Sequence, residues 1–308
     1  MPSPSPGSAT VPSSSIAADG SPLGDLLRQL RSWSLVALPI LFFLIFFAGP
    51  LLYLFVVSLL EPSQTELYGT NVTLQNYAKV LGDEFYLRII QRTLLVGALV
   101  TGIALLIAYP VAMAIARMTP RWRIIAMIAL MFPLMLSNVV RAYGWIAVLG
   151  RQGVVNTVLT QAEIIDAPLA LLYSIEAVVL GLMTILLPYM IISIANSLTG
   201  LDRSYAEAAQ SLGAGPLRTF IHVTWPLSSP GVAAGMQLVF FLTLSAYVTI
   251  ALLGGPRFSL LVSMVYRSAM AFQWTFSAAL AFVLLGVALG VGALIMLVLR
   301  PGRVQGRG

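Results

Sequence analysis

SWSLVALPILFFLIFFAGPLLYLFVVSLL, residues 32–60, runs for 29 residues between Arg31 and Glu61 without a charged side chain. A helix rising about 1.5 Å per residue needs about 20 apolar residues to cross a hydrocarbon core. This stretch is long enough. Five similar stretches follow: residues 92–117, 123–149, 169–198, 230–254 and 276–299. Across all 308 residues, 59% are hydrophobic and only 9% are charged. A typical soluble protein carries about 25% charged residues, so this chain cannot cover a water-exposed surface. Strand-type alternation is absent from the apolar stretches, which argues against a β-barrel. The expected fold class is an all-α membrane protein with six transmembrane helices.

Composition removes several chemistries. The chain has no Cys, so disulfide frameworks and thiolate metal sites are out. Its one His, His222, excludes a multi-His metal site. Its one Lys, Lys79, follows Ala78, whereas a phosphate-binding loop needs Gly-Lys-Ser/Thr. No cofactor is expected. Neither a His-Glu-x-x-His nor a Gly-x-Ser-x-Gly motif is present, so an intramembrane enzyme ranks far behind a transporter. The net charge of +6 comes almost wholly from Arg. In a membrane protein such charges report orientation, not nucleic-acid binding.

The organisation follows from the charges. Residues 1–31 are expected to be a disordered cytoplasmic segment and lead-in, since the first 22 hold seven Ser and five Pro. They carry no basic residue before Arg28, unlike a signal peptide. Residues 32–300 form the membrane domain, and 301–308 a cytoplasmic tail. Arg28, Arg31, Arg117, Arg121, Arg123, Arg203, Arg218 and Arg300 fall on one side of six spans. Glu61, Glu66, Asp83, Glu84, Glu163 and Asp166 fall on the other. Basic segments stay inside, so both termini are expected in the cytoplasm.

One inner loop, about 196–229, is long and polar enough to have its own structure. Ser204-Tyr205-Ala206-Glu207 reads as a capping box, with Ser204 accepting from the Glu207 amide and Glu207 reaching back. A helix over Tyr205–Leu212 follows, and Gly213 sits where a left-handed helix end is wanted. Pro216 can start a second helix. A break is expected at Trp225-Pro226, with Ser229-Pro230 opening the fifth span.

Glu207-Ala208-Ala209, three residues, Gly213, nine residues, then Val223-x-Trp225-Pro226 resembles the EAA loop of ABC importer permeases. Val223 replaces the usual Ile and Trp225 the usual Leu. Asn138-Val139-Val140-Arg141-Ala142-Tyr143-Gly144-Trp145, Leu187-Pro188-Tyr189 and Leu253-Gly254-Gly255-Pro256 are similar to the spermidine/putrescine-type permeases. The likeness covers roughly residues 35–300.

The resemblance implies a type I ABC importer permease fold in the bacterial inner membrane, without catalytic activity of its own. It implies as partners an ATP-binding cassette ATPase dimer, a second permease subunit of a different chain and a periplasmic solute-binding protein, amid membrane lipid. Tyr205, Glu207, Ala208, Ala209 and Gly213 would dock on the ATPase, and Gly213→Asp should uncouple it. The solute it favours is a polyamine or related amine. A stand-alone secondary transporter or channel is the alternative, and it would need paired broken helices in two repeated halves.

Ionisable residues at membrane depth are candidates for a translocation path. Arg141 lies in the third span and Glu176 about two turns into the fourth. They either pair with each other or line the path. Tyr143, Trp145 and Tyr247 are aromatic candidates, since ring faces hold ammonium groups. Gly286 and Gly290 form a small-xxx-small pair suited to helix packing.

Overall fold

The computed structural model describes residues 37, 39–63, 69–202, 204–256 and 258–299. The expected N-terminal segment 1–31 and the tail 301–308 lie outside the described residues. Among the described residues the only β pairing is an isolated bridge between Leu60 and Val72. The chain divides into two compact units, 1–54 and 55–308.

Among the described residues, twelve helical stretches carry the fold. In chain order they are α1 (Pro39–Ser58), α2 (Gln75–Gly82), α3 (Glu84–Arg117), α4 (Pro120–Met131) and α5 (Asn138–Leu149). They continue with α6 (Val154–Gln161), α7 (Ile175–Thr199), α8 (Ser204–Ser211) and α9 (Pro216–Ser245). The last three are α10 (Tyr247–Gly254), α11 (Leu261–Met270) and α12 (Trp274–Val298). Five of them, α1, α3, α7, α9 and α12, are long and apolar enough to cross a membrane. A sixth span arises only if Pro120–Met135 and Asn138–Gln161 are counted as one, and these limbs meet at 88°. The third apolar stretch is thus a bent pair, not one straight helix. The cause is local: Pro133 sits in a 3₁₀ turn, Leu136 is extended, and Ser137 starts the next helix.

The core of the second unit is a three-helix contact of α3, α7 and α9. Val96, Val100, Ala104, Ala108 and Ala112 lie four residues apart along α3, all buried. Val178, Leu182, Leu186, Met190 and Ile194 form the matching row on α7. Rows at this spacing interlock as ridges and grooves, and the small residues on α3 let the backbones approach. On α9, Gly235 meets α7 so closely that a Cβ there would lie 2.7 Å from Met190 Sδ. Ser193 Oγ donates to the carbonyl of Gly231 at 2.9 Å across the same contact. A smaller cluster of Val80, Ile89, Leu261, Phe276 and Leu280 joins α2, α3, α11 and α12.

The structure revises two further expectations. The fifth span does not open at Pro230; it begins at Pro216 and passes through both later prolines. A π-turn over Phe220–Thr224 absorbs the first, Pro226. Pro230 lacks the N–H that would reach the carbonyl of Pro226, and Ser229 Oγ donates there instead at 2.7 Å. The span then ends at Ser245, and residues up to Gly254 form the separate helix α10. Gly286 and Gly290, expected to pack, have nothing within 4 Å of a built Cβ among the described residues. The packing glycine of α12 is Gly292, where a Cβ would fall 2.7 Å from the Phe241 ring.

Candidate functional site

The loop between α7 and α9 folds as a short helix ended by a tight turn. Asp202 heads α8: its Oδ1 accepts from the Ser204 N–H at 2.9 Å, and its carbonyl from Tyr205 at 3.4 Å. The backbone N–H of Ser204, and then its side chain, hold the Asp202 carboxyl below the usual range. Ser204 is itself the first helical residue. The expected reciprocal bond between Ser204 and Glu207 is therefore replaced by an aspartate two residues earlier. An aspartate there suits the positive end of the helix.

At the other end, Gly213 has φ +83°. Gly213 N–H donates to Gln210 O at 2.9 Å and Ala214 N–H to Ala209 O at 3.0 Å. This pair of bonds is the Schellman arrangement, which closes orphan carbonyls around one left-handed residue. Gly215 and Pro216 then start α9 without a gap. Thr219, buried, donates its hydroxyl to Ala214 O at 3.5 Å.

An aromatic cluster ties this loop to the bundle. The Tyr109 ring of α3 lies 5.4 Å from Phe220 and 5.3 Å from Trp225. Tyr109 Oη and Ser228 Oγ are 2.8 Å apart. Trp225, the largest departure from the EAA pattern, is thus a packing residue in this chain. Arg123 Nη2 donates to Ala116 O at 3.0 Å and Met118 O at 3.2 Å, closing the C-terminal end of α3.

The outer surface of α8 is uncovered. Tyr205, Ala208 and Leu212 share one face at helical spacing and are exposed, Leu212 by 90%. Glu207 is exposed as well, whereas Ala209 is partly covered by its own chain. Behind the helix lies a recess of about 550 Å³ lined by Glu207, Asp202, Arg117 and Arg123 among others. Leu212 was not singled out from sequence. Its signal was a large apolar residue just before the turn glycine.

The path candidates do not stand together. Arg141 and Tyr247 line one cavity of about 310 Å³, with Asn138, Tyr189, Ser245 and Thr249. The bend between α4 and α5 and the break between α9 and α10 bring these residues to one place. Arg141 holds the bend: Nη2 donates to Leu136 O at 3.1 Å and to Pro133 O, and Nη1 to Asn138 Oδ1 at 3.3 Å. The Tyr247 ring stacks on Tyr266, centroids 4.1 Å apart.

Glu176 lies elsewhere. It sits in the first turn of α7, shallower than the sequence suggested, on an open apolar groove with Leu99, Ile103 and Ile107. It does not pair with Arg141. Among the described residues the only ion pair is Arg88–Glu84, 3.5 Å and exposed. Trp145 Nε1 donates to Thr184 Oγ1 at 3.4 Å, and Tyr143 is exposed outside the cavity. Tyr189 and Asn138, both in the quoted motifs, were missed as cavity residues. Only the fold brings them beside Tyr247.

Residues 77–302 match the family described as binding-protein-dependent transport system inner membrane component. The spermidine/putrescine transport system permease protein PotB of Haemophilus influenzae is 31% identical over 267 residues, 86% of this chain and 92% of that protein. The protein of the same name in Salmonella typhimurium is 30% identical over 233 residues, 75% of this chain and 80% of its own. One chain of a bacterial alginate ABC transporter, solved with an alginate pentasaccharide-bound periplasmic protein, superposes with TM-score 0.72 at 18% identity. That match covers 88% of this chain and 94% of the other, and shows a shared fold. With the matched region spanning nearly the whole helical bundle, the chain belongs to the family of binding-protein-dependent transport system inner membrane components.

Proposed function

We propose that this chain is one of two permease subunits of an ATP-driven importer that passes a polyamine or related small amine into the cytoplasm. A periplasmic binding protein delivers the solute, and a pair of ATPase subunits on the cytoplasmic side drives the cycle. The second permease is a different chain, and both termini of this one face the cytoplasm.

The observation that carries this reading is α8: a capped helix between α7 and α9 with an uncovered face of Tyr205, Ala208 and Leu212. Small and aromatic residues on such a face fit a cleft in a partner, and Glu207 offers it a charge. When the ATPases close on ATP, the two coupling helices are drawn together and the bundle changes from inward-facing to outward-facing. This is a two-state equilibrium biased by ATP and by the loaded receptor. The cavity at Arg141 and Tyr247 is the part of the path this chain supplies. The relatives' names supply the amine class.

Gentle purification of the chain from its membrane tests this. An ATPase, a second permease and a binding protein should co-purify, and Gly213→Asp should lose the ATPase. A chain that purifies alone and moves solute into vesicles without ATP would overturn the proposal.

A further inference from the structure

Two left-handed residues meet at the C-terminal end of α10. Tyr173 has φ +61° and Gly255 φ +70°. Tyr173 N–H donates to Leu253 O at 2.9 Å. A Cβ built on Gly255 would lie 2.9 Å from Tyr173 Cγ and closer still to Cδ1, so the ring is seated on a bare glycine. Gly255 is buried, whereas Tyr173 is 65% exposed. For an aromatic side chain the left-handed region is disfavoured about tenfold. Such a conformation persists where its surroundings over-determine it, and it gathers at clamps and switches. Here the bond to Leu253 and the seat on Gly255 hold it.

What this clamp secures is α10, a helix of eight residues with a break at each end. Ala246, at φ −78° and ψ 55°, parts it from α9, and Gly255 parts it from the chain that follows. Past Gly255 the chain is tied to α11: Arg267 Nη2 donates to Ser259 Oγ at 2.8 Å and to Pro256 O at 3.3 Å. α10 itself rests on α7 at Gly181, where a Cβ would lie 3.0 Å from Thr249 Cγ2 and 3.1 Å from Leu253 Cδ1. Tyr247, Val248 and Thr249, one wall of the cavity, are therefore carried on a short segment that can pivot at Ala246 once its far end is released.

We propose that Tyr173 and Gly255 form a latch that holds α10 against α7, and that the latch opens once in each transport cycle, when the loaded binding protein docks. Both are positioning residues: they act on the path through α10. This rests on the reading of the chain as an importer permease, in which Tyr173 and the end of α10 face the periplasm.

The chain has no Cys, so the contact can be locked by an introduced pair. A Cβ on Gly255 falls within about 4.4 Å of Tyr173 Cβ, which is one carbon–carbon bond from Cγ, and disulfides span such distances. The importer carrying Tyr173→Cys and Gly255→Cys is placed in liposomes with ATP inside and the binding protein outside, and putrescine and spermidine are the probes. Oxidation should cut ATP-dependent uptake about tenfold or more, dithiothreitol should restore it, and the natural chain should be indifferent to both. In a second variant, Tyr173→Ala, the ring contact is lost from the latched state alone. ATPase activity without the binding protein should then rise about threefold or more. A ring that only packs would lower the melting temperature and leave that dependence unmoved. Full uptake with the disulfide formed, a pair that does not cross-link, or unchanged binding-protein dependence in Tyr173→Ala overturns the latch and leaves the importer standing. A natural chain that takes up neither probe with ATP overturns the amine importer itself.

Discussion

Replacing Gly213 separates two reasons for a glycine at the end of α8. Its φ is +83°, in the region where an L side chain costs about 1–2 kcal/mol. A Cβ built there meets nothing within 4 Å inside this chain, so the cost is confined to the backbone. A β-branched residue should pay all of it and trade the left-handed turn for another end. That surrenders the bonds from Gly213 to Gln210 and from Ala214 to Ala209. Asn tolerates the left-handed region and should pay only a fraction. With about 1.4 kcal/mol per factor of ten, Gly213→Val should reduce the population of the native turn about five- to thirty-fold. Gly213→Asn should stay within a few-fold of the natural chain. The assay is solute moved per ATP hydrolysed in liposomes carrying the full importer. If Val and Asn uncouple equally, the glycine serves close approach of a partner, and the backbone explanation is refuted. If both couple normally, the turn does not matter to coupling at all.

Gly235→Leu should destabilise the α7–α9 contact by about 1–3 kcal/mol, since its Cβ alone would crowd Met190 at 2.7 Å; a thermal melt of the detergent-solubilised protein that does not move would contradict this. Trp225→Leu, which restores the usual residue of the EAA pattern, should weaken the Tyr109–Phe220–Trp225 cluster by about 0.5–1.5 kcal/mol beyond lost area. It should lower the melting temperature without abolishing ATPase binding. Ser229→Ala should leave the Pro226 carbonyl unpaired at about 1 kcal/mol, read as faster amide exchange around residues 226–231. Asp202 has a folded pKa below its unfolded value, so its contribution is present above the ordinary carboxylate range and fades as pH falls through the lowered value. Near neutral pH the cap is therefore in place. Asp202→Ala should speed amide exchange at Ser204, while Asp202→Asn, still a cap, should change it little.

Much of this was legible in the sequence because it rests on local rules. The spans follow from runs without charge, and α8 came within one residue of its observed bounds because Ala, Glu and Gln precede a turn glycine. Pro226 and Pro230 misled for a physical reason. A proline normally breaks a helix, and nothing local announces that a π-turn and one serine hydroxyl will carry the chain through. Glu176 was placed too deep because residues 169–174 are apolar yet not helical, and the helix waits for Ser174, whose Oγ accepts from Ala177 N–H at 3.1 Å. The cavity was half legible. Arg141 and Tyr247 stand out as residue types, but their meeting with Tyr189 and Asn138 depends on a bend and a break that only the packed bundle defines.

The unbroken course of α9 has a mechanical meaning. Its 30 residues make a rod about 45 Å long, close to the full thickness of a bilayer with its headgroups. Pro216 at one tip follows the Gly213 turn closely, and Ser245 at the other lies on the cavity wall. A rod of that length pivoting at its middle by 10° moves each tip about 4 Å in opposite directions. On the proposed function, a small sideways pull at the Pro216 tip would be delivered to the Ser245 tip as a comparable shift of the cavity wall, with no chain of side-chain rearrangements between. The Gly231 and Gly235 contacts lie near the fulcrum. There a tight fit to α7 lets the lever turn without sliding.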